Sequence, residues 1–300
     1  MAFDDSDQQT ESFDLDWLDL REPFDALARD EALAAALLAR LPARPRLLDL
    51  GAGTGSLFRW LAPILAGPQS WTLADADRAL LTRAFEDIAA WAAARGLATT
   101  TSGGALLVHT TAGAWRIEAE IVDLAGPLAE LRLNRHDAVV CSALLDLVSS
   151  DWINRLAAIL KKPLLACLSV DGSDAVRPAH ALDRTVFAAF RRDQQRNKGL
   201  GVALGARAPI VLHAALRARG FTVHSAITDW RIRAEAANLL DMLVASHAEV
   251  AAHRLPSRRE AIRAWARLRA RQIDQRRLAM RIGHRDSLAL PPGPNPPRET

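Results

Sequence analysis

Three hundred residues, half of them hydrophobic, suffice for one large α/β domain with insertions or for two small domains, and exclude a disordered or fibrous chain. The 38 basic and 35 acidic residues leave a net +3, too little by itself to mark a nucleic-acid-binding protein, and nearly all the basic residues are arginine. Two cysteines, Cys141 and Cys167, both inside apolar runs, exclude a disulfide framework and suggest no zinc site.

Residues 1 to about 12 are polar, acidic and expected to be disordered, the wrong charge for a secretory or mitochondrial leader. No apolar run approaches membrane length, so a cytoplasmic protein is expected. From Phe13 to Leu41 the pattern is helical and is expected to break at Pro23, with Leu27, Ala34, Leu37, Leu38 and Leu41 forming an apolar stripe. Two such helices before the first strand suit a cap over a pocket.

The stretch Leu47-Leu48-Asp49-Leu50-Gly51-Ala52-Gly53-Thr54-Gly55-Ser56 reads as a short buried strand, a glycine-rich turn and a helix start, the helix carrying Leu57, Trp60, Leu61 and Leu65. A turn so free of side chains lets a ligand approach bare backbone N–H groups at the positive end of the helix. Gly51 and Gly53 fit the dinucleotide pattern G-x-G-x-x-G, but its last position falls on Ser56 and the spacing is G-x-G-x-G. Asp49 also argues against a diphosphate. At about 6 Å and an effective dielectric near 20, each unit charge pair is worth roughly 3 kcal/mol, so the acid favours a cationic ligand. S-adenosylmethionine carries a sulfonium and an ammonium. A chance glycine-rich turn is the alternative.

Asp49 to Gly55 resembles the first motif of the class I S-adenosylmethionine-dependent methyltransferases. The resemblance covers roughly residues 46 to 172 and is closest to bacterial small-molecule-type members. It implies that Asp49, Gly51, Ala52, Gly53 and Gly55 border the methionine part of S-adenosylmethionine. It also implies a basic residue ahead of the motif for the methionine carboxylate, which an arginine fork matches bidentately. Arg21 and Arg29 are the candidates, Arg29 the chosen one, with a solvated helix face as the competing reading.

Trp71 to Asp77 reads as a second strand ending in acids, followed by a helix from Arg78 to Arg95. Asp75, with Ala76 beside it, lies about where an acid accepts hydrogen bonds from ribose hydroxyls, and Asp77 is expected to cap the helix. Ala105 to Thr110 and Trp115 to Leu124 form a hairpin about Ala112-Gly113, its second arm being the third sheet strand. The resemblance places Asp123 and Leu124 near the adenine amine; Asp123 as a helix N-cap is the alternative.

His136 to Ala143 is the fourth strand, and Ser142 and Asp146 stand at its carboxyl end, where ligands bind in such folds. There is no Asn/Asp-Pro-Pro-aromatic tetrapeptide and no Pro-Cys nucleophile, and Cys141 is read as core. Asp146 is the ionisable group placed to orient an acceptor or serve as base; His180 is a second candidate whose ordinary reading is structural.

A helix from Asp151 to Lys162 leads to a fifth strand, Leu164 to Val170. Residues 173–207 form an insert or lid with a basic run, Arg191 to Lys198, which favours an acidic substrate unless it is a solvated face. A helix from Ile210 to Arg219 and a strand from Phe221 to Trp230 follow, then a helical insertion over 234–275. The expected antiparallel seventh strand is assigned to Leu278–Ile282, and 291–300 to a Pro-rich tail.

The expected fold is a Rossmann-like, seven-stranded, mostly parallel α/β sheet of class I methyltransferase type, with N-terminal helices and helical insertions. Residues 1–45 form the acidic start and cap helices, 46–172 the cofactor-binding core, and 208–290 the rest of the core. The expected activity is S-adenosylmethionine-dependent methyl transfer to a small molecule, with no metal. The alternatives are an RNA or ribosome methyltransferase using Arg254 to Arg277, and a non-catalytic cofactor-binding partner subunit. The arginines are expected to recur on all sides of their helix and to pair with local acids, which counts against RNA.

Overall fold

A computed structural model describes residues 15–197 and 199–292. The acidic first residues, Lys198 and nearly all of the Pro-rich tail lie outside the described residues.

A nine-stranded sheet forms the centre. Its parallel run consists of β1 (Arg46–Leu50), β2 (Gln69–Asp75), β5 (Gly113–Ile121), β6 (Ala138–Ser142) and β7 (Leu164–Val170). A hairpin of β3 (Thr99–Ser102) and β4 (Ala105–Thr110) extends one edge antiparallel to β5. At the other edge β12 (His284–Leu290) lies antiparallel between β7 and β9 (Thr222–Ile227). The order is β3-β4-β5-β2-β1-β6-β7-β12-β9. The chain runs outward from β1 through β2 to β5 and then starts again on the other side with β6, so the sheet's topological switch point lies between β1 and β6. In open α/β sheets ligands bind in the crevice at such a point, beyond the carboxyl ends of the strands.

Alternation along β1 sends Leu47 to one hydrophobic layer and Leu48 and Leu50 to the other. The first layer holds α2 (Glu31–Leu38), α3 (Ser56–Leu65) and α4 (Arg78–Ala93), where Phe58 packs edge-on against Trp71 and Trp115. The second holds α5 (Ser150–Ile159) and α7 (Ala208–Arg217) around Trp152, whose indole N–H donates to the Leu124 carbonyl. β1, β6 and β7 are buried on both faces and read as near-continuous apolar runs, whereas β2 and β5 carry polar residues at half-buried or exposed positions.

A second hydrophobic cluster system stands apart from the sheet. Three short antiparallel strands, β10 (Trp230–Ile232), β11 (Ala279–Ile282) and β8 (Ala175–Arg177), pack with α6 (Asp183–Gln194), α8 (Ala237–Arg254), α9 (Arg259–Asp274) and the apolar face of α1 (Leu15–Ala28). These elements form a cap.

Several expectations are corrected. The seventh strand of the main sheet is His284–Leu290, not Leu278–Ile282; the latter stretch becomes β11 of the cap, and Gly283 separates the two. Leu278–Ile282 is the more apolar stretch, whereas His284–Leu290 opens with four polar residues, so composition favoured the wrong one. The strand expected over Phe221–Trp230 is split between β9 in the sheet and β10 in the cap. The sheet has nine strands because β3, a run of threonines, pairs with β4. Pro23 does not break the first helix: α1 runs through it, and the packing of Trp17 and Phe24 against Trp230 offsets the lost hydrogen bond. The break comes at Asp30, whose side chain accepts from the Leu33 N–H and caps α2. Helix α9 carries its exposed arginines on one face rather than all round.

Candidate functional site

At the switch point β1 ends in the glycine turn. Gly51, Gly53 and Gly55 all have left-handed φ, +64°, +53° and +78°. A Cβ on Gly51 would press on Leu144 at 3.2 Å and one on Gly55 on Ile88 at 3.2 Å, so packing requires those two. A Cβ on Gly53 would meet nothing within 4 Å, so that glycine faces open space. Gly51 and Ala52 donate backbone N–H bonds to the Ala74 carbonyl, which binds the turn to the end of β2. Gly55 then opens α3 with no side-chain cap.

Asp49 is 1 % exposed, and neither carboxylate oxygen has a hydrogen-bond partner among the described residues. Burial pushes its pKa up to about 8; Arg29 opposes the rise and Asp75 adds to it. A buried carboxylate without donors is costly to ionise, and a cation brought to it would favour the charged form.

Arg29 is buried and is not a solvated helix-face residue. Its guanidinium donates to the Ser56 carbonyl (3.3 Å), the Ser56 hydroxyl (3.1 Å) and the Ser142 hydroxyl (2.9 Å), joining the start of α3 to the end of β6. Its Nε–H is buried without a partner among the described residues. Arg21 lies farther out, donating twice to Asp25 and stacking over Trp230. Asp25 also accepts from the Trp230 indole at 3.0 Å and lies 3.9 Å from Arg29. Arg59 is a further strut, pairing with Glu22 of α1 and donating to the Thr54 carbonyl inside the glycine turn.

Asp75, at the end of β2, accepts from the Gly53 N–H at 2.9 Å and the Asp77 N–H at 3.0 Å, so it fixes the open part of the turn. Ala76 beside it is exposed. Asp77 accepts from the Ala79 and Leu80 amides and caps α4, as expected. β5 ends at Ile121, so Asp123 stands past the strand, exposed, accepting from the Ala125 N–H at 2.8 Å. It caps no helix: the following turn, Leu128–Leu131, is preceded by Pro127. The Leu124 side chain is buried in the second layer.

Ser142 and the adjacent Ala143, at φ +53°, turn the chain away from β6. Asp146 is buried in the loop that follows, and the segment after α6 is laid on that loop: the Gly205 and Leu204 amides donate to the Asp146 and Val148 carbonyls. His180 accepts the Leu182 N–H at 3.1 Å and serves the start of α6. Cys141 and Cys167 are buried thiols whose pKa burial raises, consistent with core residues. The structure therefore brings Asp49, Gly53, Asp75, Ser56, Arg29 and Ser142 together at the carboxyl ends of β1, β2 and β6, whereas Leu124 faces the core.

Sequence reasoning missed Asp286. Fully buried on β12, it accepts from the Leu168 N–H (2.7 Å), the Thr228 hydroxyl (2.9 Å) and the Asp30 N–H (3.0 Å). It thereby anchors the residue after Arg29 to the sheet, where β7 bulges at Leu168, φ +54°. An acid set before the run Ser287 to Leu290 was its signal. Among the described residues no group of three or more His, Cys, Asp or Glu could hold a metal, and no helix is long and apolar enough to cross a membrane.

The strand order, the antiparallel penultimate strand and a glycine turn at the switch point define a Rossmann-like α/β fold, a kind in which ligands bind beyond the carboxyl ends of the strands at that point. No family model matches the chain. It is 51 % identical over 55 residues to the biotin biosynthesis bifunctional protein BioCD of Bordetella avium (strain 197N), a match spanning 18 % of this chain and 12 % of that protein's length. Among solved structures, a SAM-dependent methyltransferase from Thiobacillus denitrificans, solved with S-adenosyl-L-homocysteine, overlaps 91 % of this chain and 98 % of its own at 16 % identity and a TM-score of 0.41. The YcgJ protein of Bacillus subtilis overlaps 88 % and 100 % at 12 % identity and a TM-score of 0.45. The cyclopropane synthase MmaA2 of Mycobacterium tuberculosis overlaps 86 % and 83 % at 11 % identity and a TM-score of 0.41.

Proposed function

We propose that the chain is a class I methyltransferase that binds S-adenosylmethionine in the β1–β6 crevice and methylates a small-molecule acceptor. The observation that carries this reading is the pairing of unsatisfied charges: a buried Asp49 carboxylate with no donor, and across the crevice a buried Arg29 whose Nε–H has no acceptor. A diphosphate would meet the acid; an amino acid bearing an ammonium and a carboxylate would satisfy both groups.

The residues present fit that cofactor. Asp49 would face the cationic end, Arg29, held by Ser56 and Ser142, the carboxylate, and Gly53 the space where the chain lies open. Asp75 with Ala76 would take the ribose, and Asp123 the adenine, Leu124 being turned into the core. When bound, S-adenosylmethionine supplies a methyl carbon on a sulfonium whose departure as a neutral thioether needs no proton. The protein's contribution is then positioning and exclusion of water, which for aligned reactants is worth about 7–11 kcal/mol. Asp146 would orient the acceptor and take its proton where it has one. The partial match to a biotin biosynthesis protein agrees with a small-molecule pathway.

Calorimetry with S-adenosylmethionine and NAD side by side tests the reading. S-adenosylmethionine binds and NAD does not, and Asp49→Asn weakens the former about tenfold or more at pH 7. Unchanged affinity in the variant, or preference for NAD, overturns it. Transfer of labelled methyl to the small-molecule fraction of a cell extract separates an enzyme from a binding subunit, which labels nothing.

A further inference from the structure

Between Arg254 and Arg277 the chain carries nine arginines against two acids, a local net of +7 in a protein whose overall net is +3. The structure sorts them. Ile262, Trp265, Arg269 and Ile273 form the buried face of α9, with Arg269 bonded to Asp183, the Pro178 carbonyl and Gln272. Arg254 pairs with Asp193. Arg259, Arg263, Arg267 and Arg271 recur every fourth residue and are all exposed, so they make a ridge along one side of the helix. Of the four, Arg267 pairs with Glu260, at 3.0 Å in a fully wetted setting, and the other three have no ion-pair partner among the described residues. Arg258, Arg276 and Arg277 extend the charge at the two ends.

We propose that this ridge binds the phosphate backbone of single-stranded RNA, independently of the crevice at β1. Three features select that partner. Four guanidiniums one helical turn apart, about 6 Å, follow a line of phosphates and offer each a bidentate fork. The exposed neutral side chains between them are Ala261, Ala264 and Ala270, with Leu268 half-buried, so the face has no exposed aromatic or large apolar anchor of the kind that supplies most of the affinity of a protein interface. For the same reason it has nothing to insert into a lipid layer, and Trp265, the helix's one aromatic residue, is buried in the cap. Binding by phosphate neutralisation alone needs no such anchor. It also carries no base-specific contact, so the affinity is independent of sequence.

The test is fluorescence anisotropy of the full chain with a labelled mixed-sequence RNA of about 20 nucleotides across a salt series, with the variant Arg259→Gln/Arg263→Gln/Arg267→Gln/Arg271→Gln alongside. Four phosphate contacts give a slope of about −2.8 in log affinity against log salt, roughly a 50-fold loss between 50 and 200 mM salt. The variant loses that slope while its circular dichroism and its S-adenosylmethionine affinity by calorimetry stay as in the parent. Should the fourfold variant not fold, Arg263→Gln alone lowers the slope by about 0.7, and Arg219→Gln, on an exposed turn after α7, does not. Wild-type binding indifferent to salt, a variant that binds like the parent, or RNA displaced by polyglutamate or by phosphatidylserine vesicles at equal charge each overturns the proposal.

Discussion

The sheet and the cap are of comparable hydrophobic quality, yet they are built differently. Most of the sheet is assembled from consecutive strand–helix units, β1-α3-β2, β2-α4-β5 by way of the hairpin, and β6-α5-β7, and its layers are apolar almost throughout. The cap gathers three separate segments, α1, β8 with α6, and the continuous run β10-α8-α9-β11, with stretches of the sheet between them. Its strands are three or four residues long, and at its centre Arg269 is fully buried against Asp183. The cap is therefore held by side-chain contacts between distant segments, and the sheet by local crossovers as well. Arg29 stands where the two meet, since α1 belongs to the cap and α2 to the first layer of the sheet.

Two matched truncations set the regions against each other. Phe58→Ala removes a fully buried ring from the sheet layer and is expected to cost about 3–5 kcal/mol. Asp183→Ala leaves the buried Arg269 guanidinium uncompensated and is expected to cost a similar ~3–5 kcal/mol. The distribution of the loss differs. Hydrogen exchange should show Asp183→Ala loosening β8, α6, α8 and α9 while β1, β2 and β6 stay protected, whereas Phe58→Ala lowers protection everywhere. Uniform loss in both variants would make the molecule one cooperative unit.

The same contrast explains what the sequence disclosed. Asp49 to Gly55 was legible because strand, turn and helix are contiguous, and every parallel strand buried on both faces is an apolar run. β11 and β12 were confused because they are adjacent, β12 opens with polar residues that only the distant strands β7 and β9 bury, and β11 is the more apolar of the two. The role of Arg29 was undecidable in the chain: an arginine between two helices is ordinarily solvated, and its burial depends on Ser142, 113 residues away. The role of Asp286 was undecidable for the same reason, since its donors come from Leu168, Thr228 and Asp30. Asp77 was different, because capping acts over two or three residues and is written locally.

Asp49 sharpens the comparison, as a buried charge that the sheet, unlike the cap at Arg269, leaves unpaired. Its folded pKa of about 8 lies above the ordinary 3.8. Between those values the folded state holds a proton that the unfolded state has lost. This group's contribution is thus fully present below about pH 4 and falls as pH rises through about 8. Asp49→Asn should flatten that part of the urea-stability profile and be the more stable protein at pH 8, by about 1–3 kcal/mol. Binding should run the other way. A cation at Asp49 favours the carboxylate, so wild-type affinity for S-adenosylmethionine rises with pH from 6 to about 8, with proton release seen as a buffer-dependent binding heat. Stability profiles of the two proteins that stay parallel would deny the carboxylate this role.

Gly53→Ala gives the smallest effect on folding and separates the site from its scaffold. A residue with a Cβ at φ +53° is strained by roughly 1–2 kcal/mol, but the added methyl would touch no protein atom. At Gly55 the same methyl would press on Ile88 as well, so Gly55→Ala should be the less stable variant. If the space before Gly53 is where a ligand lies against the backbone, Gly53→Ala should lose S-adenosylmethionine affinity by about tenfold or more, while its midpoint in urea moves little. Gly55→Ala should show the reverse weighting, because its Cβ points into the α4 packing and not into the crevice. Equal losses of affinity in the two variants would mean that the turn acts only through its shape and not through the open approach at its middle glycine.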